Sequence, residues 1–222
     1  MTRELGKVDA IAKGAKKTAS RLAGSSDPLA SAKMTLAKGK VNQFVTQAQP
    51  LHSYRGLRTD YERLSYALAL VELYAAVLPW GEPSEESFDL LGASLGAIES
   101  HAKPLVALVW SELKLLEQSG FLPPFDQCVS TGSQVLEAEP WLSPKAGGYV
   151  SVPSAAEYPD RFQTKAEVLF GLARMAELDG PPSNLKLADE CLHALTPFWQ
   201  YIVDSPLPAN EAVKKELRHK HI

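Results

Sequence analysis

Apolar side chains change their repeat near Arg58: before it they alternate or cluster in short runs, and after it they return every third or fourth residue. In residues 7–13, Val8, Ala10 and Ala12 alternate with other positions, which predicts a short half-buried strand. Residues 14–28 form a basic stretch rich in glycine and serine, the composition of a loop. Two further strands are predicted over 29–36 and 40–48, joined at Lys38-Gly39-Lys40, with Val41, Phe44 and Val45 supplying β-forming side chains. Residues 50–53 then read as a linker. Three short strands make a small, incomplete sheet that is marginal alone.

From Arg58 the period is that of a helix. Leu64, Ala67, Leu68, Val71, Tyr74, Ala75 and Leu78 predict one continuous face, with Asp60 at the start and Pro79 at the end. Ser84-Glu85-Glu86-Ser87 has the composition of a capped helix start, and Phe88, Leu91, Leu95 and Ile98 carry that helix on. Pro104 opens the most apolar segment of the chain. Its polar strip is confined to Ser111, Glu112, Lys114 and Glu117, so it is predicted to be buried by neighbours on several sides and to stop at Gly120. Prolines and glycines punctuate 121–160, an irregular insert with a small hairpin predicted at 148–152. Residues 165–178 predict a helix with Val168, Leu169, Leu172, Met175 and Ala176 inward. A last helix follows Pro181-Pro182, with a stripe of Leu185, Ala188, Leu192, Leu195, Trp199 and Ile202 and a bend at Pro197. The polar tail 214–221 is expected to fray. The fold class is α+β: a small β-domain over 1–50, then an all-α domain over 51–222 that carries the insert. No internal repeat is present.

Composition adds two constraints. A 222-residue chain with 45% hydrophobic residues can bury a sizeable core without a disulfide or a metal. Cys128 and Cys191 lie far apart and are expected as free thiols in a reducing cytoplasm. No run approaches the roughly 20 apolar residues of a membrane span, and the opening MTRELGKVDA lacks an apolar signal core.

The net charge of −3 conceals an asymmetry. Residues 1–50 carry nine Lys/Arg against three acids, a balance of +6, which leaves −9 on the remainder. Two readings follow: the basic segment meets a polyanion such as nucleic acid, or it is a solvated basic face. The candidate phosphate contacts are Lys7, Lys13, Lys16, Lys17, Arg21, Lys38 and Lys40, with Arg55 and Arg58 at the mouth of the first helix. Phe44 is the lone aromatic in residues 1–50, so electrostatics is expected to outweigh base stacking.

Catalytic signatures are absent: there is no glycine-rich phosphate loop, no HExxH and no GxSxG, and the histidines are isolated or lie in the tail. No enzymatic role and no cofactor are expected. Cys128-x-x-Thr131 and Ser151-x-x-Ser154 have the spacing of two zinc knuckles, but three of the four positions hold hydroxyls. One thiolate does not hold a structural zinc, so a metal-free loop is expected.

Several short motifs carry a family resemblance. Thr2-Arg3-Glu4-Leu5-Gly6-Lys7-Val8 and Ala12-Lys13-Gly14-Ala15-Lys16-Lys17 stand at the start. Tyr54-Arg55-Gly56-Leu57-Arg58, Arg63-Leu64, Tyr66-Ala67 and Glu72-Leu73 follow, then Glu112-Leu113-Lys114-Leu115-Leu116, Gly120-Phe121, Pro123 and Cys128. Their order and spacing resemble the RecO family of bacterial recombination mediators. The resemblance implies an OB-fold-like β-domain, truncated here, ahead of a helical domain. It also implies binding of single- and double-stranded DNA, strand annealing and help in loading RecA in the RecF pathway. The implied partners are RecR and the C-terminal tail of single-strand-binding protein, in the bacterial cytoplasm at the nucleoid, with no membrane. Many family members place cysteines where Thr131, Ser151 and Ser154 stand, so zinc is not carried over. Met1 aligns inside the family's second strand, either because the start codon is set too late, which is the expected reason, or because the chain is naturally truncated. The competing class is a helical protein-interaction scaffold without DNA binding of its own.

Overall fold

The computed structural model describes residues 1–17, 20–135 and 137–219. Strands β1 (Ala10–Ile11), β2 (Ser31–Lys38) and β3 (Gln43–His52) form one sheet in the order β1-β3-β2. β2 and β3 are an antiparallel hairpin running from Lys38↔Gln43 to Ser31↔His52, and β1 pairs in parallel with the start of β3. A register shift between Thr35 and Leu36 leaves Thr46 unpaired in the ladder, and its hydroxyl donates to the Thr35 carbonyl at 3.1 Å.

Two expectations about this region are corrected. The first strand shrinks to two exposed residues, because the chain before it is tied to the helices: Lys7 bridges to Trp80, and the Gly81 N–H donates to the Lys7 carbonyl at 3.1 Å. Residues 50–52 are not a linker but the end of β3, since β2 offers Ala32 and Ser31 as partners for Pro50 and His52.

The remaining elements are α1 (Arg55–Thr59), α2 (Tyr61–Val77), α3 (Glu85–Ser100), α4 (Pro104–Gln118), β4 (Trp141–Ser143), β5 (Gly148–Val150), α5 (Val152–Ala155), β6 (Phe162–Gln163), α6 (Ala166–Ala176), α7 (Ala188–Ile202) and α8 (Pro208–His219). Asp60 caps α2 by accepting the Arg63 N–H at 3.0 Å, and Ser84 caps α3 by accepting that of Ser87 at 3.1 Å. Inside the insert, β4–β6 make a second sheet in the order β5-β4-β6, its hairpin beginning at Trp141 rather than at 148. Pro197 sits inside the uninterrupted helix α7.

α4 is the hub and packs against α2, α3, α6 and α7. Val106, Leu108, Val109, Leu113, Leu115 and Leu116 are all buried, each such side chain stabilising the fold by about 1.5–3 kcal/mol. The expected polar strip is narrower than its sequence. Ser111 is buried and donates back to the Ala107 carbonyl at 2.8 Å. Glu112 is also buried and accepts the Trp199 Nε1–H at 2.8 Å. Lys114 and Glu117 remain at the surface as a 2.8 Å ion pair. The buried face of α2 is likewise rotated from the expected stripe. Tyr66, Ala67, Ala69, Leu70, Leu73 and Tyr74 are inward while Leu68 is 41% exposed, because α3, α4 and α8 meet this helix from different sides.

The tail does not fray over the described residues. α8 lies along α2 with Val213 and Leu217 buried. Glu72 of α2 clamps its start, its carboxylate accepting from the N–H groups of Ala209 and Asn210, each at 3.0 Å, and from Asn210 Nδ2 at 2.9 Å. This satisfies donors that a helix start leaves free. Lys220 and His221, the end of that expected frayed segment, lie outside the described residues.

Burial raises the Glu112 carboxyl to about 8, with the Trp199 hydrogen bond opposing in part. A carboxyl raised on folding contributes stability below its unfolded value, and that contribution is lost as pH rises through about 8. Urea unfolding of wild type is therefore expected to weaken from about pH 5 to about pH 9 relative to Glu112→Gln, which keeps an acceptor but does not titrate; parallel pH profiles would refute this. Glu72→Ala is expected to cost about 1–2 kcal/mol and to speed amide exchange across α8. Unchanged exchange there would show that the clamp is dispensable.

Candidate nucleic-acid interface

The candidate cations fall into separate groups. Lys13 and Lys38 both lie at the turn end of the hairpin, Lys13 over Phe44 and Lys38 opposite Gln43, the neighbouring position on β3 and so on the other face of the sheet. The Lys13 ammonium sits 4.5 Å from the centre of the Phe44 ring, a cation–π contact that fixes an exposed side chain over a half-buried aromatic. Gly39 makes room for that ring, since a Cβ there would come within 2.6 Å of Phe44 Cε2. Lys40 is exposed in the turn itself, and Lys16, Lys17 and Arg21 are exposed along the loop that leads from β1 to β2.

Arg55 and Arg58 lie beyond the opposite end of β3. Ten residues of strand span about 33 Å, so the two groups form no single compact cluster. At this second end α3 holds the junction. Glu99 accepts the Gly56 N–H at 2.8 Å and meets His52 Nε2 at 3.2 Å, while the Tyr54 hydroxyl donates to the Gly92 carbonyl at 3.2 Å. Arg55 is exposed; Arg58 pairs with Asp27 at 3.8 Å and donates to the Pro28 carbonyl at 3.3 Å, tying the loop before β2 to α1.

Lys7 is turned inward. Its ammonium donates to the Ala75 carbonyl at 2.5 Å and lies 4.7 Å from the centre of the Trp80 ring. It fastens the leading segment to the α2–α3 connection and has little left to offer a phosphate. Between the two groups stands Lys33, exposed on β2 opposite Gln49, with Thr35 opposite Gln47. Lys33 is an exposed cation beyond those that the charge pattern of residues 1–50 singles out. The alternation Lys33-Met34-Thr35 was the available signal, since it places lysine and threonine on one face of the strand.

Three of the four knuckle positions, Cys128, Thr131 and Ser151, come together without the donors for zinc. Cys128 Sγ lies 3.4 Å from Ser151 Oγ and accepts the Ser151 N–H at 3.2 Å. One thiol surrounded by hydroxyls does not fit a structural zinc, and among the described residues no group of three or more His, Cys, Asp or Glu is placed to hold a metal. Burial raises the Cys128 thiol. Hydrogen bonds from the Ser151 and Thr131 hydroxyls and from the Ser151 and Ser130 amides outweigh it and bring the thiol down to about 6. Among the described residues no helix is long and apolar enough to cross a membrane.

Family models place this arrangement. One described as recombination protein O, C terminal, matches residues 58–210, and one described as recombination protein O, N terminal, matches residues 1–54. The chain belongs to the recombination protein O (RecO) family. DNA repair protein RecO of Alkaliphilus metalliredigens is 36% identical over 151 residues, which cover 67% of this chain and 61% of that protein. The RecO of Heliobacterium modesticaldum is 35% identical over 154 residues, 68% of this chain and 56% of that protein. The match to these two thus spans less than two thirds of their length. The RecO of Bifidobacterium animalis is 29% identical over 212 residues, covering 93% of this chain and 87% of that protein.

Burial holds the second thiol, Cys191, up at about 12, so Cys128 titrates well apart from it. Ser151→Ala is expected to move the Cys128 titration upward, read from thiolate ultraviolet absorbance against pH. A Cys128 profile unchanged by Ser151→Ala would remove the hydroxyl and amide cradle as its cause.

Proposed function

We propose that this chain is a non-catalytic DNA-repair protein that binds single- and double-stranded DNA, promotes annealing of strands and assists RecA loading in the RecF pathway. RecR and the C-terminal tail of single-strand-binding protein are its proposed protein partners, at the nucleoid. The observation that carries the reading is RecO family membership together with the exposed basic edge of the first sheet. The curated relatives named above are DNA repair proteins. We read that sheet as part of an OB-type β-domain, supported by its bulged antiparallel hairpin and the match of residues 1–54 to the N-terminal family model.

In this reading Lys13, Lys16, Lys17, Arg21, Lys38 and Lys40 contact phosphates around the turn end, and Arg55 with Lys33 extends the path along the hairpin. Lys7 and Arg58 keep structural duties and contribute little. Binding is sequence-tolerant and falls with salt as counterions are released. Phe44, one face already covered by Lys13, adds little stacking.

Anisotropy with a labelled oligonucleotide tests this on the full chain. The logarithm of affinity is expected to fall linearly with the logarithm of salt. Lys13→Gln with Lys38→Gln should reduce that slope by about 0.7 per lost single-strand contact. An affinity that ignores salt would overturn the electrostatic mechanism. No binding at all would favour a helical protein-interaction scaffold.

A further inference from the structure

α8 carries a basic face that the family match does not reach, since the matched region ends at residue 210. Its direction is fixed by two contacts. Its start is held by Glu72, late in α2, and its Glu216 accepts the hydroxyl of Tyr61, the first residue of α2, at 2.5 Å. α8 therefore runs antiparallel to α2, and its C-terminal end reaches the place where α1 hands over to α2. Arg55 and Arg58 stand on α1, immediately before that point.

Val213 and Leu217 are buried against the neighbouring helices, while Lys215, Arg218 and His219 are exposed. These three stand at i, i+3 and i+4 and so share one face. The acidic groups of α8 are engaged elsewhere: Glu211 accepts from Gln200 at 2.8 Å, and Glu216 is bound to Tyr61. Among the described residues, Lys215 and Arg218 form no ion pair. Basic residues at a helix C-terminus also complement its dipole, but this end of α8 in addition stands by the start of α2, next to the helix that carries the exposed Arg55.

We propose that this face of α8 is a second phosphate-contacting surface, which continues the path from Arg55 onto the helical domain so that a bound strand runs off the sheet and along the end of the helical body. The proposal rests on the DNA-binding reading above. Nucleic acid fits better than a lipid surface because the apolar residues of α8 are committed to the core, and the exposed face presents charge without an apolar anchor to insert.

The test is anisotropy with a labelled oligothymidine across a salt series, using the full chain as wild type, Lys215→Gln with Arg218→Gln, and Lys145→Gln with Lys186→Gln. The last pair removes equal charge from exposed positions on the β4–β5 turn and ahead of α7. The α8 pair is expected to weaken binding several-fold at low salt and to reduce the slope by about 1.4, two single-strand contacts, with the control pair close to wild type. Salt-sensitive binding by wild type that the α8 pair leaves unchanged would overturn this inference and spare the DNA-binding reading. Equal losses in both pairs would also overturn it, leaving a net-charge effect alone. Absence of wild-type binding would remove the reading on which it rests. Binding to phosphatidylserine vesicles that depends on the α8 pair, without oligonucleotide binding, would assign the face to lipid and overturn it as well.

Discussion

A helix with almost no face for water has to be enclosed before it is stable, and α4 imposes that condition on the whole C-terminal body. α2, α3, α6 and α7 each pack against it, and the connections between them take whatever course that packing requires. The one acid caught inside among the described residues, Glu112, is tolerated because Trp199 on α7 supplies a donor and burial keeps its proton on. The same contact sets the position of α7 against α4, so a polar pair fixes register in a region where leucines alone would permit sliding.

The basic sheet depends on this body in turn. Ile11, Met34 and Leu51 on the strands and Val41 in the turn are all exposed, so the sheet buries little of its own apolar surface. What orients the sheet is a set of polar and aromatic fastenings to α1–α3: Lys7 on Trp80 and Ala75, Arg3 on Glu85 and Phe88, His52 and Gly56 on Glu99, and Arg58 on Asp27. Several cations of the basic segment are therefore used as fasteners, which leaves the turn end and the exposed loop as the part free to meet a polyanion.

Much of this was legible from periodicity and capping. The α3 start at Ser84, the α4 start at Pro104 and the hairpin around Gly39 all follow from local chemistry that acts within a few residues. What local pattern did not disclose is held by partners distant in sequence. The stretch 214–221 reads as a polar tail, yet as far as His219 it continues a helix whose first turn is held by a carboxylate at Glu72, 137 and 138 residues away from the amides it accepts. Glu112 reads as surface because its indole partner is 87 residues on. Lys7 is indistinguishable in sequence from Lys13, and what makes it a fastener to the helices is the Ala75 carbonyl and the Trp80 ring, both far away in the chain. The strand at Trp141 is three residues long, too short for alternation to show.

Gly6 lets the leading segment attach to the helices backbone to backbone. Its φ is +66°, and a Cβ there would stand 2.1 Å from the Glu82 carbonyl oxygen, so the two backbones touch with no side chain between them. Any side chain at this position would have to lift the leading segment from the α2–α3 connection, and with it would change the angle at which the basic sheet is presented.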